Sequence, residues 1–190
     1  MPKANFSFLL ASTALAAGAG AAPQSRTVTT TELWTDHGPQ LRDEAVMRRT
    51  MLVAHATARA LVGVPPLLWS EELAAAAQAH ADYLAHTGRF EHVGPTRARP
   101  GVGENLWAGS HDGYTYSEMI DAWLSEARDY IHAPTPRFSR TGAWADVGHY
   151  SQMIWRGTTH VGCAVSAGVQ EDVLVCRYAP AGNVMGQTAF

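Results

Sequence analysis

The stretch VGCAVSAGVQEDVLVCRY, residues 161–178, carries the reading on which the fold turns. Two β-prone runs flank SAGVQED, and folding them back between Val169 and Gln170 predicts an antiparallel hairpin. One face then carries Val161, Cys163, Val165, Leu174, Cys176 and Tyr178, and the other Gly162, Ala164, Val173 and Val175. A strand pair that is apolar on both faces needs cover on both. In the same register Cys163 and Cys176, the two cysteines of the chain, stand directly opposite each other. Opposed residues at a non-hydrogen-bonded position approach closely enough for a disulfide. In the chain-entropy model a bridge closing so short a loop contributes about 3 kcal/mol.

The first half of the chain supplies the cover. From Asp43 to Leu61 the spacing suits a helix, stopped by Gly63 and the Pro65-Pro66 pair. Ser70 caps a second helix with Glu71 and Glu72 in its first turn, an inner stripe of Leu73, Ala77, His80, Ala81 and Leu84, and Gly88 at its end. Thr115 and Glu118 have capping-box spacing ahead of a third stripe, Met119, Ile120, Trp123, Leu124, Ala127 and Ile131. At 100° per residue Glu126 falls on the shoulder of that stripe, where a carboxylate can look into a cleft. Helices before a two-sided hairpin predict an α+β, three-layer α-β-α sandwich with a mainly antiparallel central sheet.

Residues 1–21, MPKANFSFLLASTALAAGAGA, combine Lys3, an apolar stretch too short to span a bilayer, and a small-x-small site at Ala19-Gly20-Ala21. They are expected to be an export signal, with 22–42 a lead-in and 43–190 the folded domain. Export favours a disulfide over a metal or redox role for the cysteine pair. With 17 acidic and 14 basic side chains, and charged residues at only 16%, the chain has no basic footprint for nucleic acid and is no disordered polyelectrolyte.

Nine histidines need sorting. His80, on an inner helix stripe, reads as a hydrogen-bonded core residue. Ser151, two residues after His149, would point the same way as that histidine on a β-type stretch, but no oxyanion hole or orienting group accompanies it. Composition alone stops at candidate histidines and carboxylates.

Resemblance goes further. GHYSQMIWRGT (148–158) and VLVCRYAPAGNV (173–184) resemble the signature stretches of the CAP superfamily, which includes cysteine-rich secretory proteins, venom antigen 5 and plant pathogenesis-related class 1 proteins. The segments GVPPLLWSEELAAAAQAHA, GENLWAGS and AWLSEARDY fit the same pattern. The family's usual His-Asn-x-x-Arg reads His55-Ala56-Thr57-Ala58-Arg59 here, and one cysteine pair replaces the several bridges of many relatives. The resemblance implies an α-β-α sandwich and a cleft lined by His92, Glu104, Glu126 and His149.

Two imidazoles and two carboxylates suit a divalent cation, and imidazole tilts the choice toward zinc. No organic cofactor is expected. The function so implied is that of a secreted, monomeric, non-catalytic binding module for a lipid or sterol or an extracellular protein, the alternative being a metal-dependent hydrolase or protease in the same cleft. Trp107, Tyr114 and Tyr116 flank Gly-Ser-His-Asp-Gly and could cover an apolar ligand or pin the loop to the body.

Overall fold

The structure is a computed structural model that describes residues 42–93 and 99–190. The expected signal segment and most of the lead-in lie outside the described residues. Asp43 caps helix α1 (Glu44–Leu61) by accepting from the Val46 amide, and Ser70 caps α2 (Glu71–Thr87) through the Leu73 amide. Gly88 closes α2 in the left-handed conformation that lacks a Cβ penalty. The Thr115–Glu118 capping box starts α3 (Tyr116–Leu124), which tightens into a 3-10 turn over Ser125–Arg128. A short helix, α4 (Gly148–Met153), precedes the hairpin.

The sheet holds β1 (Leu68–Trp69), β2 (Gly103–Ser110), β3 (His160–Ala167) and β4 (Glu171–Ala179) in the order β1-β3-β4-β2. Only the two-residue β1 runs parallel to its neighbour. In the hairpin Cys163 pairs with Cys176 in register and is bonded to it, with 4.1 Å between their Cα atoms. That separation belongs to a narrow, non-hydrogen-bonded pair, as the sequence register required.

The two hairpin faces enter different cores. Val161, Cys163, Leu174, Cys176 and Tyr178 pack with Met47 and Met51 of α1 and Met119, Ile120 and Trp123 of α3. Ala164, Val173 and Val175 pack with Ala77, Ala81 and Leu84 of α2. The architecture is therefore the α-β-α sandwich. At Gly162 an added Cβ would lie 2.2 Å from the Ala74 nitrogen, so β3 and the start of α2 touch backbone to backbone. No helix among the described residues is long and apolar enough to cross a membrane.

Two local expectations are corrected. The third stripe ends at Leu124: the 3-10 turn rotates Ala127 and Ile131 out to solvent. His149 and Ser151 lie on α4, not on a strand, so they point about 200° apart around the helix axis. Ser151 is fully buried, and its hydroxyl meets no hydrogen-bond partner.

Candidate functional site: a cleft across the edge of β2

Because strand side chains alternate, Glu104 and Leu106 of β2 face the α2 layer while Asn105 and Trp107 face the α1/α3 layer. The tetrad straddles this edge strand as two pairs. On the α2 side, Glu104 Oε1 accepts from His92 Nδ1 at 2.8 Å and from the Val93 amide at 3.1 Å. On the other side, Glu126 Oε1 accepts from His149 Nδ1 at 2.6 Å and Glu126 Oε2 from the Tyr150 amide at 2.9 Å. His149 stacks on Trp123 at 5.8 Å. Asn105 donates to the carbonyl of His149, tying the start of α4 to β2.

His92, Glu104 and His149 line a cleft of about 390 Å3, together with Gln152, Arg177 and Asn183. Glu126 stands behind His149 rather than on the wall. The four ligand atoms therefore do not converge on one point. Instead Glu104 holds His92, and Glu126 holds His149, by Nδ1, which leaves Nε2 of each as the lone-pair nitrogen of the neutral ring. A metal-ligating histidine commonly donates its second ring nitrogen to a carboxylate in this way, so the residues present fit a divalent cation held by the two imidazoles.

Sequence reasoning missed Arg177, and it read His80 as a hydrogen-bonded core residue without its partner. Arg177 lies across the ladder from Glu104, and its NH2 sits 2.9 Å from Glu104 Oε2. His80 Nδ1 reaches the same oxygen at 2.7 Å. Burial pushes the Glu104 carboxyl up, but His92, Arg177, the Val93 amide and His80 outweigh it and hold the pKa below the ordinary value. The signal was present in part: His80 and Glu104 were both singled out, but a helix stripe does not say which strand it covers.

Trp107 and Tyr114 close on each other edge to face at 4.9 Å, while Tyr116 is buried in the first turn of α3 beneath the Arg42 guanidinium. The three rings therefore do not gather at the cleft. At that end of the sheet His111, Asp112 and Asp172 bring their ligand atoms within 4.8 Å of one another. Arg42 already serves this group: it bonds Asp172, stands 3.7 Å from Asp112 and donates to the Tyr114 carbonyl.

His55 and Arg59, the first-helix residues that keep the family's His and Arg positions, are structural. His55 bridges the Met51 carbonyl and the Tyr178 hydroxyl, and Tyr178 in turn meets Asn105. Arg59 is buried and donates to the carbonyls of Pro65, Met153, Trp155 and Thr158.

Residues 52–178 match the profile of the Cysteine-rich secretory protein family, CAP. Pathogenesis-related protein 1C of Nicotiana tabacum is 39% identical over 141 residues, covering 73% of this chain and 78% of its own. The Golgi-associated plant pathogenesis-related protein 1 of Homo sapiens is 36% identical over 141 residues, covering 74% and 86%. A crystal structure of NaASP2 with Zn2+ superposes with a TM-score of 0.63 at 26% identity, covering 76% of this chain and 84% of that one. The chain belongs to the CAP family and is similar to its pathogenesis-related members. The family's secretory character and the Cys163–Cys176 disulfide agree on an extracellular setting.

Proposed function

We propose that this chain is an extracellular, non-catalytic binding module whose cleft holds a divalent cation, with zinc the best fit, on Nε2 of His92 and His149. The observation that supports this is the pairing itself: two imidazoles lining one cleft, each oriented by its own carboxylate through Nδ1. The zinc of the related NaASP2 structure lends it further weight. Two protein ligands leave coordination positions open, and a bound cation would act there as a Lewis acid. The partner classes that suit such a module are a lipid or sterol and an extracellular protein. Ser151, buried on the far side of α4, offers no nucleophile for an acyl-transfer alternative.

Zinc titration by calorimetry into chelator-stripped protein at pH 7.5 tests the reading. Stoichiometric binding is expected, lost in His92→Ala/His149→Ala. Glu126→Gln is expected to weaken zinc by about 10- to 100-fold, the usual effect of removing a carboxylate behind a ligating imidazole. Binding that survives the double substitution would move the cation elsewhere, with His111, Asp112 and Asp172 the first place to look. Chelator-sensitive turnover of a substrate, abolished by His149→Ala, would replace the non-catalytic reading with metal-dependent hydrolysis.

A further inference from the structure

Behind Glu104, on the α2 side of β2, lies a second hollow of about 350 Å3. Leu73, Ala79 and Val102 give it apolar wall, and His80 and Tyr83 add two near-parallel rings 6.2 Å apart. Arg177 lines both this hollow and the cleft. The Arg177 side chain is only 7% exposed, and its buried Nε–H meets no acceptor. An unmet donor on a buried guanidinium is rare and calls for an explanation. Glu104 does not supply one. Its Oε2 takes Arg177 NH2 and His80, and its Oε1 takes His92 and the Val93 amide, so each oxygen already has two donors.

We infer that this hollow binds a small aryl carboxylate, one carboxylate oxygen on the unmet Nε–H of Arg177 and its ring against His80, Tyr83 and the apolar wall. Because Arg177 NH2, on the same edge, already meets Glu104 Oε2 and lies 3.4 Å from His80 Nδ1, the ligand takes a single charge-assisted hydrogen bond, which an uncharged ligand cannot answer with equal strength. The volume is at the small end for ligand sites and suits a single-ring acid. This hollow shares Val93, Val102 and Arg177 with the cleft, but its proposed ligand contacts neither His92 nor His149, so the inference does not require a bound cation.

The test is calorimetric titration of chelator-stripped protein with phenylacetate and, in parallel, with uncharged phenylacetamide. Phenylacetate should bind one to one and the amide at least about tenfold more weakly, the range expected for losing a charge-assisted hydrogen bond. Ala79 is exposed on α2, so Ala79→Trp fills the hollow while leaving Arg177 and Glu104 in place, and it should abolish binding. Arg177→Gln should weaken phenylacetate about tenfold or more, with Arg177→Lys intermediate. Absence of phenylacetate binding in the unsubstituted protein would overturn the inference. So would equal affinity for acid and amide, or binding that survives Ala79→Trp. Zinc binding in the same preparation is read independently, so failure of one reading leaves the other standing.

Discussion

At the scale of single residues, two histidines set opposite pH dependences. Burial, opposed by the hydrogen bond to the Met51 carbonyl and helped by Arg59, lowers the His55 pKa to about 4. Its unfolded value is near 6.5, so the unfolded chain takes up the proton first as the pH falls. The stability His55 confers is thus complete above about pH 6.5 and lost as the pH drops toward 4, by about 3 kcal/mol in all. His111 has the reverse sign. Its hydrogen bond to Asp172 raises its pKa, so its contribution is present below 6.5 and fades as the pH rises through the raised value. Because His111 is exposed and His55 wholly buried, His55 dominates. Urea unfolding between pH 4 and 7 should show stability falling with acidity, and His55→Gln should flatten that slope. An unchanged slope would place the proton uptake elsewhere. Neither sign was legible in the sequence, where His55 and His111 were two of nine similar imidazoles.

Among the elements, the caps were readable because their signals lie within four residues of one another. Ser70 and Thr115 each accept the hydrogen bond that their position promised, and Asp43, where the first helical spacing begins, caps its helix in the same way. Thr115→Ala should lower stability by about 1 kcal/mol, measured by chemical denaturation, without altering zinc binding. The end of α3 was not readable, because the switch to a 3-10 turn depends on where Glu126 must reach to meet His149 and the Tyr150 amide. Nor was α4, whose six residues are too few for a period to emerge. Gly162 is an element-scale constraint that only packing reveals. Gly162→Ala forces β3 and α2 apart and should cost about 1–3 kcal/mol, the usual penalty of overpacking. A thermal midpoint unchanged by that substitution would contradict the close backbone approach.

For the whole molecule, the layers are held by a few ties that cross them. The disulfide staples β3 to β4, and Cys163→Ala/Cys176→Ala should destabilise the protein by about 3 kcal/mol with the fold retained. Arg59 joins α1 to the segments around Pro65 and Met153–Thr158. Burial, reinforced by Arg156, pushes its pKa down to about 10, yet it stays charged at neutral pH. Arg59→Met would strand three buried carbonyls and a part-buried fourth, that of Pro65, and should cost about 3 kcal/mol or more in denaturant unfolding. The sequence by itself determined the hairpin register, the disulfide, the three helix starts and, from apolarity on both strand faces, the three layers. All of these rest on periodicity or short-range chemistry. His92, Glu104, Glu126 and His149 were nameable through resemblance, but their arrangement was not. Only the tertiary structure decided that they form two imidazole–carboxylate pairs on opposite sides of β2, and that His80 and Arg177 share Glu104. Residues from α2, β2, β4 and α4 meet there through sheet order and layer packing, and no spacing along the chain encodes that meeting.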